Sequence, residues 1–402
     1  MARPLRALVF STLYPSAERP GHGIFVETRL RHLLATGDVE ARVVAPVPWF
    51  PFTGAQHGER AAMARTARRE QRHGIDVLHP RYLVLPKIGM HVAPALLAFG
   101  AARALSAWRA EGFDFDLIDA HYFYPDGVAA ALLARWFDRP LVITARGSDV
   151  NLIGEFALPR RMMRWAARSA VASIGVSAAL AERLRALGAP PERVHVATNG
   201  VDTTFFAPVP REQARAHLGV GGAPLLLSVG NLLEVKRHHL VIDALARLRE
   251  RHPQARLAIV GQGPLREALR ARADAAGLGD AVVLAGAVPQ AELRHWYSAA
   301  DLLVLASSRE GWPNVLLEAM ACGTRVLASR VGGVPEIVNA PELGAALPVD
   351  DGDALAAALL ALLERPADPR AVRAHAERHG WAATSRLLVD RFREAMPANR
   401  AA

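Results

Sequence analysis

Short runs of apolar residues alternate with amphipathic, Ala/Leu/Arg-rich stretches along the whole chain, and this alternation restricts the possible folds most strongly. Continuous apolar runs of about four to eight residues are typical of strands that are buried on both faces. The amphipathic stretches between them have the period of helices that cover such a sheet. The pattern therefore predicts an α/β protein with doubly wound parallel sheets.

The pattern occurs twice. In the first half, the predicted strands are Arg6–Ser11, Ala41–Pro46, Leu117–Ala120, Leu141–Thr144, Ser173–Val176 and Val194–Ala197, and the predicted helices are Val26–Thr36, Ala93–Glu111, Asp126–Phe137, Leu158–Ser169 and Ser177–Leu187. In the second half, the predicted strands are Leu225–Gly230, Arg256–Val260, Ala281–Ala285, Leu302–Ala306 and Arg325–Ala328, and the predicted helices are His238–Arg251, Pro264–Ala276, Gln290–Ser298 and Asn314–Ala321.

A chain of 402 residues is long for one core and suits two domains. A Pro/Gly-rich segment separates the two runs of the pattern. We predict an N-terminal Rossmann-like domain over 1–205, a linker over 206–224 and a second Rossmann-like domain over 225–370, with a cleft between the domains. The terminal segment, 371–402, is predicted to be helical and to pack back on the first domain.

Composition limits where the protein works. The N-terminal apolar run is too short for a signal peptide and is interpreted as the first strand. No uninterrupted apolar tract reaches 18 residues, which argues against a membrane-spanning helix. The single cysteine, Cys322, forbids an internal disulfide and fits a reducing compartment, so we expect a cytoplasmic protein in which Cys322 is a small core residue.

The positive charge is uneven. Residues 1–200 hold 25 Lys and Arg against 17 Asp and Glu, whereas residues 201–402 hold 23 against 22. A basic first half suggests an anionic partner, such as a phosphorylated acceptor, an anionic membrane surface or a nucleic acid. In the segment LPRRMMRWAAR, Arg160, Arg164 and Arg168 recur every four residues, with Met162, Met163 and Trp165 available for another face. That composition suits a helix at a membrane interface, although a solvated arginine face over a core of Met and Trp explains it equally well.

In doubly wound sheets ligands bind where strands end and loops lead into helices. The most informative such loop follows the strand Leu302–Ala306 and reads SSREGWPNVLLE. Pro313 suits the first helical turn, and the free amides of Asn314, Val315 and Leu316 form an anion site for a diphosphate. Glu318, one turn further, can accept hydrogen bonds from a ribose diol, and Glu310 can accept them from sugar hydroxyls. A helix cap with a solvated face is the alternative interpretation.

Three loops of the first half also contain candidate residues. Gly21 and Gly23 permit close backbone approach to a donor phosphate or an acceptor, or form a plain turn. His121 ends an apolar strand, where it can bind a sugar hydroxyl or polarise a diphosphate bridge, or be structural. In the next loop, Arg146 can pair with a phosphate and Asp149 can orient an acceptor hydroxyl.

The string REGWPNVLLEAMACG, followed by VLASRVGGVPEIV, resembles the donor-site signature of family-4 glycosyltransferases with the GT-B fold. The resemblance extends over nearly the whole chain and is strongest over 281–338. It includes the loop His121-Tyr-Phe-Tyr-Pro-Asp-Gly. The Arg146-Gly-Ser-Asp string is similar to polysaccharide-assembly members such as teichuronic acid glycosyltransferases.

The resemblance implies roles for individual residues. Glu310 and His121 would be catalytic, with Glu310 contacting the donor sugar, and Glu318 would bind the nucleotide ribose. The residues implied to hold the sugar and the diphosphate are Gly311, Trp312, Pro313, Asn314 and Val315. Lys236 takes the place of the family's phosphate-binding lysine, and the backbone around Val288 would contact the base. Asn231 stands where the family usually has a phosphate-binding arginine. Arg237 is a candidate to replace that arginine.

We expect neither a metal nor another cofactor. Asp114-x-Asp116 has the spacing of a metal-dependent transferase motif, but it leads into an apolar strand far from the diphosphate loop. Helix amides and Lys236 already supply positive potential to a diphosphate.

The sequence predicts a retaining transferase that moves a hexose-type sugar from a nucleotide donor to a polysaccharide or lipid-linked saccharide of the cell envelope, at the inner face of the cytoplasmic membrane. A non-catalytic nucleotide-sugar-binding partner of a glycan assembly complex is the alternative, which Asn231 favours. The interpretation as a nucleic-acid-binding protein rests only on the excess of positive charge in the first half, because the sequence lacks clusters of aromatic and basic residues.

Overall fold

The computed structural model describes residues 3–85, 89–348 and 351–396. The strands are β1 (Leu5–Phe10), β2 (Val39–Val44), β3 (Val47–Pro48), β4 (Arg69–Arg72), β5 (Ile75–Leu78), β6 (Arg81–Tyr82), β7 (Leu117–His121), β8 (Leu141–Ala145), β9 (Ala172–Gly175), β10 (Val194–Val196), β11 (Leu225–Val229), β12 (Arg256–Val260), β13 (Val282–Gly286), β14 (Leu302–Leu305), β15 (Arg325–Ser329) and β16 (Gly344–Leu347). The α-helices are α1 (Ile24–Leu34), α2 (Glu59–Arg65), α3 (Gly89–Ala110), α4 (Val128–Phe137), α5 (Ser148–Asn151), α6 (Ala157–Ser169), α7 (Ala178–Leu187), α8 (Arg211–Leu218), α9 (His238–Arg251), α10 (Arg266–Ala275), α11 (Gln290–Ala299), α12 (Asn314–Ala321), α13 (Val334–Ile337), α14 (Gly352–Leu363), α15 (Pro369–Glu377) and α16 (Trp381–Glu394).

The chain divides into two compact units, Met1–Asn199 with Trp381–Ala402, and Gly200–Gly380. The first unit contains an eight-stranded sheet in the order β10-β9-β8-β7-β1-β2-β5-β4, which is parallel except for the edge strand β4. The second contains a six-stranded parallel sheet in the order β13-β12-β11-β14-β15-β16. The predicted doubly wound α/β class is therefore confirmed, and each predicted strand and helix lies within a few residues of an observed one.

Each sheet has a point where the strand order reverses. In the first unit β1 leads to β2 on one side, and β7 pairs with its other side. In the second unit β11 pairs with β12 on one side and β14 on the other. Loops that leave neighbouring strands in opposite directions open a crevice at the carboxyl ends, which is the usual ligand position in this architecture.

The structure differs from the prediction in the segment 206–224. This predicted linker contains α8, which packs on α11 of the second unit: Arg215 donates to the carbonyl oxygen of Ala299 (2.9 Å) and to Asp301 (2.8 Å). The boundary between the units falls after Asn199 instead of residue 205. Proline and glycine at both ends of the segment hid a short helix whose polar sequence, REQARAHL, shows little apolar periodicity.

The C-terminal segment also differs. The prediction places the whole segment 371–402 on the first domain, whereas α15 belongs to the second unit, and α16 belongs to the first after a break at Gly380, a poor helix former. Trp381 stacks on His32 with ring centroids 5.1 Å apart. Leu388, Val389 and Phe392 join the buried core formed by the first unit's strands. Residues 397–402 of the segment lie outside the described residues.

Among the described residues, one helix, α3, has the length and mean hydropathy (1.2) required to cross a membrane. The same length and composition occur in helices that pack against the rest of a domain. In the first unit α3 lies against α4 and β6, and the backbone of Gly100 approaches Arg81 so closely that an added Cβ would lie 2.8 Å from its carbonyl oxygen.

Candidate active site

The reversal point of the second unit brings two predicted site residues into contact. Lys236 lies in a single 3₁₀ turn after β11, and Glu310 lies in the loop after β14. The Lys236 Nζ is 2.6 Å from Glu310 Oε1. A backbone hydrogen bond from Ser308 to the Val235 carbonyl (2.8 Å) joins the two loops. Neighbouring parallel strands thus position a cation and a carboxylate that are 74 residues apart in the chain.

Two glycines in the turn after β15, Gly332 and Gly333, contact the backbone of the Glu310 loop. Gly332 has a φ of +52°, and a Cβ there would lie 1.9 Å from the Glu310 carbonyl oxygen. The amide of Gly333 donates to the carbonyl of Gly311 (3.1 Å). The turn after β15 therefore supports the backbone of the predicted sugar-binding loop, and only glycine fits at position 332.

The start of α12 follows this loop. Trp312 is buried, with its indole nitrogen lacking a hydrogen-bond partner among the described residues, and Asn314 and Val315 begin the helix half-buried. Pro313 was predicted in the first helical turn, but it precedes the first helical residue. The amide of Leu316, predicted to face a ligand, instead donates to the Pro313 carbonyl (3.1 Å), because that carbonyl closes the first turn.

Glu318 has a partner that we did not predict. The hydroxyl of Tyr297, on α11, donates to Glu318 Oε2 (2.7 Å). Burial raises the pKa of Glu318 to about 7, and the hydrogen bond from Tyr297 opposes that rise. One carboxylate oxygen is therefore held in place, and the other has no described side chain hydrogen-bonded to it.

The remaining predicted residues of this unit lie around the same edge of the sheet. Arg237 has a φ of +47° and donates to the carbonyl oxygens of Ala306 (2.7 Å) and Ser307 (3.4 Å). Its guanidinium thus fixes the end of β14, and its role as a replacement for Asn231 stays a prediction. Val288 is half-buried in the turn between β13 and α11.

The reversal point of the first unit positions the glycine-rich loop. Gly23 precedes α1 with a φ of +69°, and a Cβ there would lie 2.3 Å from the backbone of Leu13. Gly21 is exposed and has open space around its Cα. Asp126, at the start of the segment that leads into α4, accepts hydrogen bonds from the amide (2.7 Å) and hydroxyl of Thr12. This buried carboxyl, whose pKa burial raises to about 7, joins the loops after β1 and β7.

His121 ends β7 and is almost fully buried. Arg146 Nη2 lies 2.7 Å and Arg29 Nη1 lies 3.3 Å from His121 Nδ1, and His121 Nε2 lies 3.3 Å from Asp119. Guanidinium groups only donate, so Nδ1 is the acceptor and the ring proton is on Nε2. Burial, with the two nearby arginines, lowers the pKa of His121 to about 3, so the imidazole is neutral.

Arg146 is held by neutral groups. Its Nη1 donates to Asn199 (2.9 Å), and its guanidinium lies over the ring of Phe25, 5.1 Å from the centroid. Its Nε has no hydrogen-bond partner among the described residues. Arg146 also contacts His121, so these two predicted site residues lie together at the carboxyl end of the first sheet.

Asp149 does not point into open space. It accepts hydrogen bonds from the backbone amides of Phe123 (2.7 Å), Gly147 (2.8 Å) and Arg146 (3.2 Å). Burial raises the pKa of Asp149 against these hydrogen bonds. The predicted role of orienting an acceptor hydroxyl does not fit this geometry, because the carboxylate is used to hold the loop that carries Arg146.

Sequence reasoning missed Arg29, Asp119 and Tyr297. Arg29 donates to Thr144 (2.8 Å) and lies 3.6 Å from Asp119 beneath His121. The sequence did contain a signal for two of them: Arg29 occurs on the apolar face of α1, three residues after Val26, and Asp119 interrupts an apolar strand. The position of Tyr297 depends on the packing of α11 against α12, which no local pattern encodes.

The carboxylates of Asp114 and Asp116 are paired with arginines. Asp114 is paired with Arg139 (2.8 Å), and Asp116 is paired with Arg3 (2.7 Å). Within the described part of the chain, one group of residues has spacing suitable for a metal ion: His217, Glu292 and His295. It shares no residue with either loop cluster.

Known proteins resemble this chain in sequence and in fold. The profile of the family "Glycosyltransferase Family 4" matches residues 81–205, and that of "Glycosyl transferases group 1" matches residues 210–379. A D-inositol 3-phosphate glycosyltransferase of Frankia alni is 31% identical over 411 residues, which cover 94% of this chain and 97% of that protein. The putative teichuronic acid biosynthesis glycosyltransferase TuaC of Bacillus subtilis is 29% identical over 339 residues, 83% of each chain.

Two solved structures share the architecture. Sucrose-phosphate synthase from Thermosynechococcus elongatus matches with a TM-score of 0.75 and 22% identity, over 98% of this chain and 99% of that one. Anabaena HepE, solved in complex with UDP, matches with a TM-score of 0.70 and 21% identity, over 96% and 98%. Two Rossmann-like units with this topology are the GT-B fold. The chain belongs to the family-4 glycosyltransferases, as its donor-site motif predicted.

Proposed function

We propose that this protein transfers a hexose-type sugar from a nucleoside diphosphate donor to a saccharide acceptor, either a polysaccharide or a lipid-linked saccharide of the cell envelope, with retention of anomeric configuration. The observation that carries the proposal is the contact between Lys236 and Glu310 at the reversal point of the second sheet. An ammonium group matches a diphosphate, and a carboxylate beside it matches sugar hydroxyls.

The glycine support explains why this pair suits a donor. With the Glu310 loop fixed by Gly332, the carboxylate stays near Lys236 before any ligand arrives, and only a few side-chain torsions must adjust on binding. A bound diphosphate would take over the ammonium of Lys236 and release Glu310 to accept bonds from the sugar. HepE was solved with UDP-glucose, which supports a donor of this chemical class.

Retention requires the acceptor to bond to the face of the anomeric carbon that the diphosphate leaves, or two successive inversions through a carboxylate nucleophile. Glu310 is assigned here to the sugar hydroxyls, and no second carboxylate is assigned as a nucleophile. We propose front-face displacement. The bond between the anomeric carbon and the diphosphate oxygen breaks with its electron pair on the diphosphate, the acceptor oxygen bonds to the same face of that carbon, and the acceptor's proton passes to the departing phosphate oxygen. The protein's own part is positioning and charge stabilisation.

The first unit contributes His121 and Arg146 to this proposal. The neutral imidazole accepts a hydrogen bond from Arg146, so loss of His121 also removes a restraint on a guanidinium that can stabilise negative charge. Their contact supports predicted roles in the same reaction. No cofactor is part of the proposal, and we propose that a metal is not required, because Glu310 is already paired with Lys236 and Glu318 accepts a hydrogen bond from Tyr297.

We also propose that the protein works in the cytoplasm, against an anionic membrane. On α6, Arg160, Arg161 and Arg168 are exposed, and Trp165 is 38% exposed. Met163, predicted as available for another face, is buried in the core. Phe52, in the loop after β3, is 58% exposed. Exposed aromatic and basic side chains on one helix support interfacial docking.

A non-catalytic nucleotide-sugar-binding partner is the second candidate, and Asn231 in place of the usual arginine favours it. A panel of nucleotide sugars, with products read by mass spectrometry, separates the two. We expect one donor to give a transfer or hydrolysis product that Lys236→Ala and Glu310→Ala abolish. Nucleotide-sugar binding by calorimetry without turnover of any donor would favour the non-catalytic candidate.

A further inference from the structure

A group of three metal-ligating side chains lies on the surface of the second unit, outside the donor loops. His217 belongs to α8, and Glu292 and His295 belong to α11. One ligand atom from each lies within 4.8 Å of the others. Glu292 and His295 are three residues apart on one helix, which places them on the same face, towards α8. We propose that these three side chains bind a divalent transition-metal ion of the zinc class.

The donor set suits that class of metal. Two imidazoles and one carboxylate are the protein ligands of many zinc sites, with water in the fourth position. His217 and Glu292 are partly exposed, at 49% and 39%, so a water ligand can reach the ion. Oxygen-preferring ions such as Mg²⁺ and Ca²⁺ favour carboxylates and carbonyls, whereas imidazole nitrogen selects zinc, nickel, copper or cobalt.

The contacts within the group also suit a metal. His217 Nε2 lies 2.9 Å from Glu292 Oε2, so these two side chains already face each other across the two helices. The Nδ1 of His295 is buried and has no hydrogen-bond partner among the described residues, and a buried polar atom usually has one.

The scaffold of the site is already ordered. The rings of His217 and His295 lie 4.4 Å apart, centroid to centroid. Arg215, two residues before His217, holds α8 to the end of α11 through Ala299 and Asp301. Binding therefore requires side-chain rotation within a fixed pair of helices instead of helix movement. Arg294, next to His295 in the chain, adds a positive charge that opposes a cation, so we expect a weaker site than one with a second carboxylate.

The test measures metal binding to the full chain without a purification tag that contains histidine. Isothermal titration with Zn²⁺ should give one site, and Co²⁺ should give the visible absorption of a four-coordinate ion. His217→Gln and His295→Gln should each weaken Zn²⁺ binding by about 100-fold or more. Substitution of a residue that only hydrogen-bonds to a metal ligand already lowers metal affinity by about 10- to 100-fold. His252→Gln, a histidine of the same unit outside the group, is the matched control and should bind as the parent does.

Zinc should also raise the melting temperature of the parent and the control, but not of the two ligand variants. No stoichiometric binding, or binding that both ligand substitutions leave intact, would overturn the proposal. The readout does not use sugar transfer, so its failure would leave the proposed enzymatic function unaffected, and the reverse also holds.

Discussion

Glu318 combines a desolvated carboxyl with a fixed orientation. Tyr297 holds one oxygen, and burial brings the pKa of the group to about 7, close to neutral pH. In its predicted role Glu318 accepts hydrogen bonds from a ribose diol, so we expect the ionised carboxylate to be the binding form. With a pKa of about 7, the charge of this carboxyl changes near neutral pH, so the pH dependence of nucleotide affinity tests its role.

We predict that Glu318→Ala weakens nucleotide binding by about 10- to 100-fold, the scale of one or two hydrogen bonds to a charged group. Because the pKa is raised, the carboxyl gains a proton below pH 7, so the parent's affinity should fall between pH 8 and pH 6. Calorimetry across that range, with Glu318→Gln to remove the titration and exposed Glu364→Ala as control, measures both effects. Equal affinity in Glu318→Ala and the parent would remove Glu318 from the ribose site.

His121→Ala should lower turnover by roughly 100-fold or more, the usual scale for a positioned polar group in catalysis. The neutral ring and its contact with Arg146 are the reason. Turnover at saturating donor is the measurement, with melting temperature as a check on folding and exposed His91→Ala as the control. A folded His121→Ala protein that keeps most of its turnover would make His121 a structural residue.

At the scale of elements, strand and helix positions could be read from the sequence because buried parallel strands are short and continuously apolar. The order of strands and their reversal points depend on long-range pairing, such as β7 beside β1 and β14 beside β11. The motifs indicated which loops carry Glu310 and Lys236, but their 2.6 Å contact follows only from that pairing.

Two polar elements, β4 and α8, were not predicted, for a different reason. The edge strand β4, REQR, and α8 bury few side chains, so they lack the apolar periodicity that identifies an element. The use of Asp149 as an acceptor of backbone amides was equally invisible, because an Asp near a helix start has the same local sequence in either role.

The helix α6 provides a prediction at this scale. Changing Arg160, Arg161 and Arg168 to Gln should lower the affinity for anionic vesicles by on the order of 100-fold, since each basic residue at such a surface contributes about 1 kcal/mol and about 1.4 kcal/mol is a factor of ten. Arg164 is left unchanged because it donates to the Leu187 carbonyl (2.9 Å). A variant with the exposed arginines 251, 365 and 370 changed to Gln removes the same charge from the second unit and should still bind.

Salt should weaken the interaction of the parent with vesicles, because screening shortens the reach of surface charges. Equal binding of the parent to neutral and anionic vesicles, or no binding to either, would contradict the proposed docking on an anionic membrane.

At the scale of the whole molecule, the proposed donor site and the proposed zinc site use different residues. We expect the donor loops to rely on Lys236 and backbone dipoles, whereas the group on α8 and α11 has the ligands of a zinc site. We predict that a chelator leaves transfer activity within about twofold, because charge stabilisation at the donor comes from the protein. Steady-state rates before and after chelation measure this, and complete loss with rescue by a divalent cation would contradict it.

The most direct test of the central claim follows one reaction by proton NMR, with the donor chosen from the nucleotide-sugar panel. We predict a new glycosidic linkage whose anomeric configuration matches the donor's, formed by the parent and not by Lys236→Ala or Glu310→Ala. An inverted anomeric signal would contradict the proposed front-face displacement. Undiminished transfer by both variants would contradict the assignment of the donor site itself.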